Sequence, residues 1–265
     1  MASTRRQRWA RGLATACVAP LLVAAGSISA SADTTDELHL GFDQSIWGFV
    51  EDQPFSNDGT READVDLITV NDPVTMFRSG LGGGLSLQLP WYSGTAGGPY
   101  AALRVTPLGS DWLSPGTSDF RFGADLRIDS ANQGSDPDNG NNVVQRGLWD
   151  DPMQYKLEID NNRPNCVFRG TQGRLSVRSS VTVEPKAWYQ VTCRRTAAEK
   201  VSVSVTKIGS SATPVVNSNV GPLGTLDAVP GTPLSVGAKL THDGQILRSA
   251  TDQFNGRVDN VFYAG

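Results

Sequence analysis

The segment VSVSVTKI, Val201 to Ile208, decides the fold class. Val201, Val203 and Val205 fall on one side and Ser202, Ser204 and Thr206 on the other, a complete period of two. An extended strand turns successive side chains to opposite faces, so this segment predicts a strand with one face in a core and one in water. Outward from it the same pattern recurs in AALRVTP, FRFGADLRID, NVVQRGL, QYKLEID, NCVFRG, RLSVRSSV, WYQVTCRR, PLSVGAKL and GRVDNVFYA. In FRFGADLRID, Phe122, Ala124, Leu126 and Ile128 share a face, while Gly123 interrupts the polar set Arg121, Asp125, Arg127 and Asp129. Glycine, proline, asparagine and aspartate clusters separate these runs, and helical periodicity is nearly absent from Asp33 onward. This is the all-β pattern. Residues 38–90 are harder to read: LHLGFDQS and LSLQLP predict strands there, with ADVDLITV the one candidate between them.

The longest polar connection is SANQGSDPDNGN, Ser130 to Asn141, followed by SGLGGG and SGTAGGP. None is distinct enough in composition to separate two domains, and no internal repeat is present. Many short strands at close spacing predict one antiparallel two-sheet sandwich or jelly roll.

The first 32 residues read as a secretory signal peptide. Arg5, Arg6, Arg8 and Arg11 precede an apolar run from Leu13 to Ala25, and Ala30-Ser31-Ala32 supplies small residues for cleavage. That run is too short for a stable membrane span. Arg5-Arg6 is compatible with a twin-arginine signal, but the general pathway is favoured; Cys17 is followed by more apolar sequence, so release rather than lipidation is expected. The expected mature domain is residues 33–265. Loss of the four leader arginines leaves 19 basic residues against 27 acids, a net charge of −8. An acidic chain argues against a phosphate-backbone partner, and no nucleic acid is expected. Two cysteines remain, Cys166 and Cys193, an even pair in an oxidising compartment. A disulfide between them is predicted, worth roughly 3–4 kcal/mol from loop-closure entropy.

From Phe120 to the end, the order FRFGADLRI, GNNVVQRG, QYKLEID with CVFRG, KAWYQVTCRR, PLSVGAK and DQFNGRVDNVFYAG resembles the laminin-G-like members of the concanavalin A-like lectin/glucanase superfamily. The closing F-x-G-x-V-D-x-V phrase is the most specific part, and the paired cysteines resemble a secreted bacterial branch. The resemblance implies a two-sheet antiparallel jelly roll whose concave face often holds carbohydrate. That fold hosts lectins, enzymes and adhesion modules alike.

Four constellations bear on chemistry. Glu158 and Asp160 share one face of the QYKLEID strand and look like the opening of the E-x-D-x-x-E signature of jelly-roll glycosidases. Retaining hydrolysis needs two carboxyl groups about 5–5.5 Å apart. Arg163 stands at the x-x-E position and Asn162 at the unbulged alternative, so the pair is incomplete. Lys156 on the same face is placed to keep Glu158 ionised, the wrong direction for a general acid. A solvated sheet face is the favoured reading, and no catalytic residue is assigned. His39 and His242 are expected on the surface, and no G-x-S-x-G, CxxC, HExxH or P-loop occurs.

The resemblance implies a structural calcium site, and Asp43 on the first strand and Asp259 on the last stand at positions that resemble it, with Asp252 and Asn260 as further candidate donors. Two aspartates alone do not complete a calcium shell, and Asp259 equally suits a strand-end hydrogen bond. Asp136 and Asp138 read as a solvated turn.

Saccharides present apolar C–H faces and hydroxyl rims, which suit aromatic platforms beside planar polar groups. Trp149 with Asp150 and Asp151, and Trp91 with Tyr92, are the predicted ligand-binding groups; Trp47 and Trp112 are further loop tryptophans, and Trp188 is expected to pack beside the disulfide. The combined expectation is a secreted, monomeric, non-catalytic module that binds glycan or an extracellular surface. A carbohydrate-active enzyme using Glu158 or Asp160 is the runner-up, and an adhesion domain with a protein partner the third reading.

Overall fold

Strand follows strand from end to end, and among the described residues there is no helix. The computed structural model describes residues 36–50, 53–93, 97–130, 141–196 and 199–265. The leader expected at residues 1–32, and Asp136 with Asp138, lie outside them.

The strands are β1 (Leu38–Leu40), β2 (Gly48–Phe49), β3 (Ala63–Val70), β4 (Met76–Ser79), β5 (Leu85–Gln88), β6 (Tyr100–Pro107), β7 (Phe120–Ile128) and β8 (Asn142–Arg146). There follow β9 (Gln154–Asp160), β10 (Arg163–Gly170), β11 (Gly173–Arg178), β12 (Tyr189–Thr196), β13 (Lys200–Lys207), β14 (Val215–Val220), β15 (Leu234–Val236) and β16 (Gly256–Ala264). One sheet runs β14-β13-β12-β7-β16-β5-β4-β2, with β1 also paired to β16. The other runs β11-β10-β9-β8-β15-β6-β3. Neighbours in both are antiparallel, giving the expected all-β jelly-roll sandwich.

The period of two becomes packing. Val201, Val203 and Val205 of β13 are buried, as are Phe122, Ala124 and Leu126 of β7 and Tyr155, Leu157 and Ile159 of β9. Aromatic rings meet between the sheets: Phe122 lies 4.9 Å from Tyr155 and 5.8 Å from Phe168, and Phe120 lies 5.4 Å from Tyr155. The Cys166–Cys193 disulfide joins β10 of one sheet to β12 of the other, both residues fully buried, with Cα atoms 5.7 Å apart.

Between β15 and β16, residues 237–255 fold back over the outer face of the seven-stranded sheet. Ala238, Leu240 and Ile246 form a second apolar cluster there with Val70, Tyr100 and Ala102. Gln253 anchors this cover: its carbonyl accepts from Ala101 N at 2.8 Å, and its amide donates to Gly237 O and Phe254 O.

Strand assignment from alternation misses β2, β4 and β14. VVNSNV on β14 has Val216 60 % and Val220 67 % exposed at the edge of its sheet, so the β13 ladder rather than a buried face holds it extended. His39, expected on the surface, is buried, because β1 is drawn in beside β16 and pairs His39 with Phe262. Trp188 is only half-buried, just before β12, and the inward place falls to Tyr189. Trp112 is structural, its indole N–H donating to Glu62 O at 3.3 Å.

Replacing Cys166 and Cys193 together by alanine is expected to lower the unfolding free energy by about 3–4 kcal/mol, since the bridge closes a 27-residue separation. Urea denaturation followed by tryptophan fluorescence measures this. An unchanged midpoint would show that the bridge adds nothing to the packing between the sheets.

Candidate functional site

Inward-facing Tyr155, Leu157 and Ile159 force Lys156, Glu158 and Asp160 onto the outer face of the seven-stranded sheet. A row crosses that face through directly paired residues: Ser235, Gln145, Lys156, Val167 and Ser176. Glu158 accepts from Asn165 Nδ2 at 2.8 Å and touches the Lys156 ammonium, and Asp160 is held by Arg178. The strand itself supplies no second catalytic acid. The cover supplies one nearby: Asp252 Oδ2 lies 3.7 Å from Lys156 Nζ and also contacts Lys239. The Lys156 ammonium contacts both Glu158 and Asp252, and both carboxylates are largely shielded from solvent. This charge-balanced network packs the cover onto the sheet.

Beside it, the turn after β8 carries the first predicted aromatic group. Gly147 has φ +78°, and a Cβ there would fall 2.1 Å from Met153 O, so only glycine turns the chain this tightly. Asp151 accepts from Leu148 N at 2.6 Å and meets His242 Nε2 of the cover at 2.9 Å, tying the turn to the cover. Asp151 is thus buried and used up internally, while Asp150 stays exposed. Trp149 projects with 61 % of its surface exposed. The Arg174 guanidinium carbon sits 3.7 Å from its ring centroid, a cation–π contact, and Arg169 Nη1 donates to its carbonyl.

Trp91 and Tyr92 are not brought to this place. Trp91 follows β5 and packs 5.5 Å from the Arg78 guanidinium carbon on β4 of the other sheet. Trp47, 63 % exposed, flanks β2 at that sheet's edge. The aromatic candidates thus divide between two sheets.

The predicted metal residues do converge. β1 and β16 are neighbours, and the Ser79–Gly84 turn closes over both aspartates: Leu85 N donates to Asp43 Oδ1 at 2.8 Å and Leu81 N to Asp259 Oδ2 at 3.3 Å. A Cβ at Gly84 would lie 2.0 Å from Asp43 Oδ1, and one at Gly80 would lie 2.7 Å from Asp259 Oδ2. Asp125, paired with Asp259 across β7 and β16, is the acid that the sequence reading left unassigned. Asn260 Nδ2 donates to Asp125 Oδ2 at 2.8 Å, while Asp125 Oδ1 is buried without a partner. Asp252 belongs to the opposite sheet's cover and does not join. No three histidine, cysteine or carboxylate side chains among the described residues form a ready cation cage. Burial pushes Asp125 up to about 6. Burial first, then the charges of Asp125 and Asp43, push Asp259 up to about 7 against its backbone hydrogen bonds.

No family model and no curated protein matches the sequence. Solved structures match in fold. The binding domain of Paraclostridial Mosquitocidal Protein 1 overlaps with a TM-score of 0.54 at 10 % identity, over 87 % of this chain and 48 % of that one. Botulinum neurotoxin type C, which depends upon interaction with two ganglioside molecules to enter cells, overlaps with a TM-score of 0.56 at 8 % identity, over 87 % and 48 %. The LG1-3 region of the laminin α2 chain overlaps at 14 % identity with a TM-score of 0.45, over 57 % and 27 %. The chain thus spans at most about half the length of these structures. Among the described residues, no helix is long and apolar enough to cross a membrane.

The two raised carboxyls fix the sign of a pH effect. In unfolded chain both ionise near 3.8, so between that value and 6–7 the native state holds more protons than the unfolded one. Stability in chelator-containing buffer is therefore expected to fall as pH rises from about 4 to about 7, by on the order of 2 kcal/mol or more. Asp259→Asn should flatten that slope. Melting temperatures across the range test it, and an unchanged slope in the variant would remove Asp259 as its source.

Proposed function

We infer that the chain is a non-catalytic, extracellular β-sandwich module that binds glycan on the outer face of its seven-stranded sheet, with Trp149 as the platform. The observation that carries this reading is an aromatic ring left 61 % exposed on a turn tied down at Gly147, Asp151 and His242. With Arg174 over one side of the ring, the remaining exposed surface of an indole on a fixed turn offers an apolar patch without a large ordering cost. The buried inter-sheet disulfide supports an oxidising, extracellular setting, in line with the leader at residues 1–32 and a mature domain from residue 33. The ganglioside dependence of a toxin with this fold supports a surface glycan as the kind of ligand. The finer assignment, to the secreted bacterial laminin-G-like type, rests on the sequence phrases alone, and a monomer is proposed with it.

One observation favours the enzymatic runner-up: Asp252 and Glu158 approach the same ammonium. Lys156, however, stands between the two acids, where a scissile oxygen would have to lie, and Lys239 binds Asp252 from its other side. A binding role is the better account.

The same reading gives calcium a structural place. The buried, partnerless Asp125 Oδ1 and the repulsion that Asp259 feels from Asp125 and Asp43 support this, since a divalent cation completed by backbone carbonyls or water would relieve both. Calcium at millimolar concentration is expected to raise the melting temperature at pH 8 and chelation to reverse it. Equal melting in both buffers would leave the cluster a proton-holding one.

A glycan array and calorimetry test the function. Trp149→Ala is expected to weaken glycan binding about tenfold or more while preserving the melting temperature. Glu158→Gln should leave binding in place, with no polysaccharide hydrolysis in either protein. Hydrolysis by the wild type that Glu158→Gln abolishes would overturn the non-catalytic reading.

A further inference from the structure

The hairpin between β10 and β11 reads Arg169-Gly170-Thr171-Gln172-Gly173-Arg174. Its register pairs Gly170 with Gly173 and therefore sets Arg169 directly opposite Arg174. Cys166 and Phe168 point into the core, so Arg169 points out, and Arg174 shares that outer face with it. Like charges placed directly across a ladder are destabilising. No acid within salt-bridge distance offsets them among the described residues: Lys156 engages Glu158 and Arg178 holds Asp160, while Asp151 is turned onto His242. The pair flanks Trp149, Arg174 over its ring and Arg169 on its carbonyl. Arg174 lies lower than an ordinary guanidinium, chiefly from desolvation, with the Arg169 charge adding to that and Glu158 opposing it.

We propose that Arg169 and Arg174, together with Trp149, form a subsite for an acidic group, a carboxylate or a sulfate, carried by the saccharide. The planar forks of two arginines match the paired oxygens of either group, and the neighbouring ring takes a pyranose face. Glu158 already attracts Arg174 at longer range, and an anion bound between the two guanidinium groups would pair directly with both forks. The subsite rests on the glycan-binding reading above and narrows its ligand class.

The test uses the full secreted chain and three oligosaccharides of equal length: a neutral hexose oligomer, a uronate oligomer and a sulfated hexose oligomer. Calorimetry is expected to show at least about tenfold tighter binding of one or both acidic oligomers than of the neutral one, weakening as salt rises. The uronate and sulfate arms identify which anion is read. Arg169→Gln and Arg174→Gln should each remove most of that preference for acidic over neutral oligomers. Arg174→Lys should recover only part, because an ammonium keeps the charge without the fork. Arg163→Gln, exposed at the far end of β10, controls for loss of general positive charge and should change nothing. Melting curves establish that each variant folds. Neutral and acidic oligomers binding equally, or acidic binding that falls no more with Arg169→Gln and Arg174→Gln than with Arg163→Gln, overturns the subsite and leaves the glycan reading standing. Failure of all three oligomers to bind overturns both.

Discussion

A covalent bond between the two sheets governs which side of each strand faces water. Cys166 must point into the core to reach Cys193, and in a strand that choice fixes the parity of every neighbour. Asn165, Val167 and Arg169 are therefore committed to the outer face. Antiparallel pairing carries the same parity sideways, to Glu158 and Lys156 on β9 and to Ser176 and Arg174 on β11. The rings of Phe122, Tyr155 and Phe168 fill the interior that this bond spans. The proposed ligand face is thus the complement of the core: whatever the sandwich does not bury on these strands is presented together.

That complement has two different characters. Near Lys156 the charges are matched, and Glu158, Asp252 and Lys239 knit the 237–255 cover to the sheet. Near Trp149 they are not, and two guanidinium groups face each other beside an exposed ring. The matched region holds the cover to the sheet, and the unmatched one is the place proposed for a partner. On the opposite sheet, Asp125 and Asp259 lie paired and buried under a glycine turn, and burial makes both hold their protons to higher pH than usual.

How much of this could be read from the chain follows from where information is local. Strict alternation in VSVSVTKI and QYKLEID announced strands and their faces, and the paired cysteines announced the inter-sheet bond. β14 escaped because an edge strand has no buried side to imprint a pattern. The convergence of Asp43 with Asp259 was legible through the neighbouring first and last strands, but Asp125 needed the β7–β16 register, which depends on contacts more than a hundred residues apart. Arg169 and Arg174 carried a usable local signal that went unread: the mirrored R-G-x-x-G-R spells a tight hairpin, and a tight hairpin sets its flanking residues opposite each other. Asp252 could not have been assigned, because the fold of the cover, not any motif, decides which sheet it meets.

The outermost strand of the nine-stranded sheet has a bearing on how the protein is handled. β14 pairs with β13 on one side only, with Val216 and Val220 exposed and no lysine or proline within its own span. Two molecules meeting there could continue each other's hydrogen-bond ladder and bury the same valines. At high concentration or on partial heating, association of this chain should begin along that margin, and placing one charged side chain at position 216 is the most economical way to keep it monodisperse.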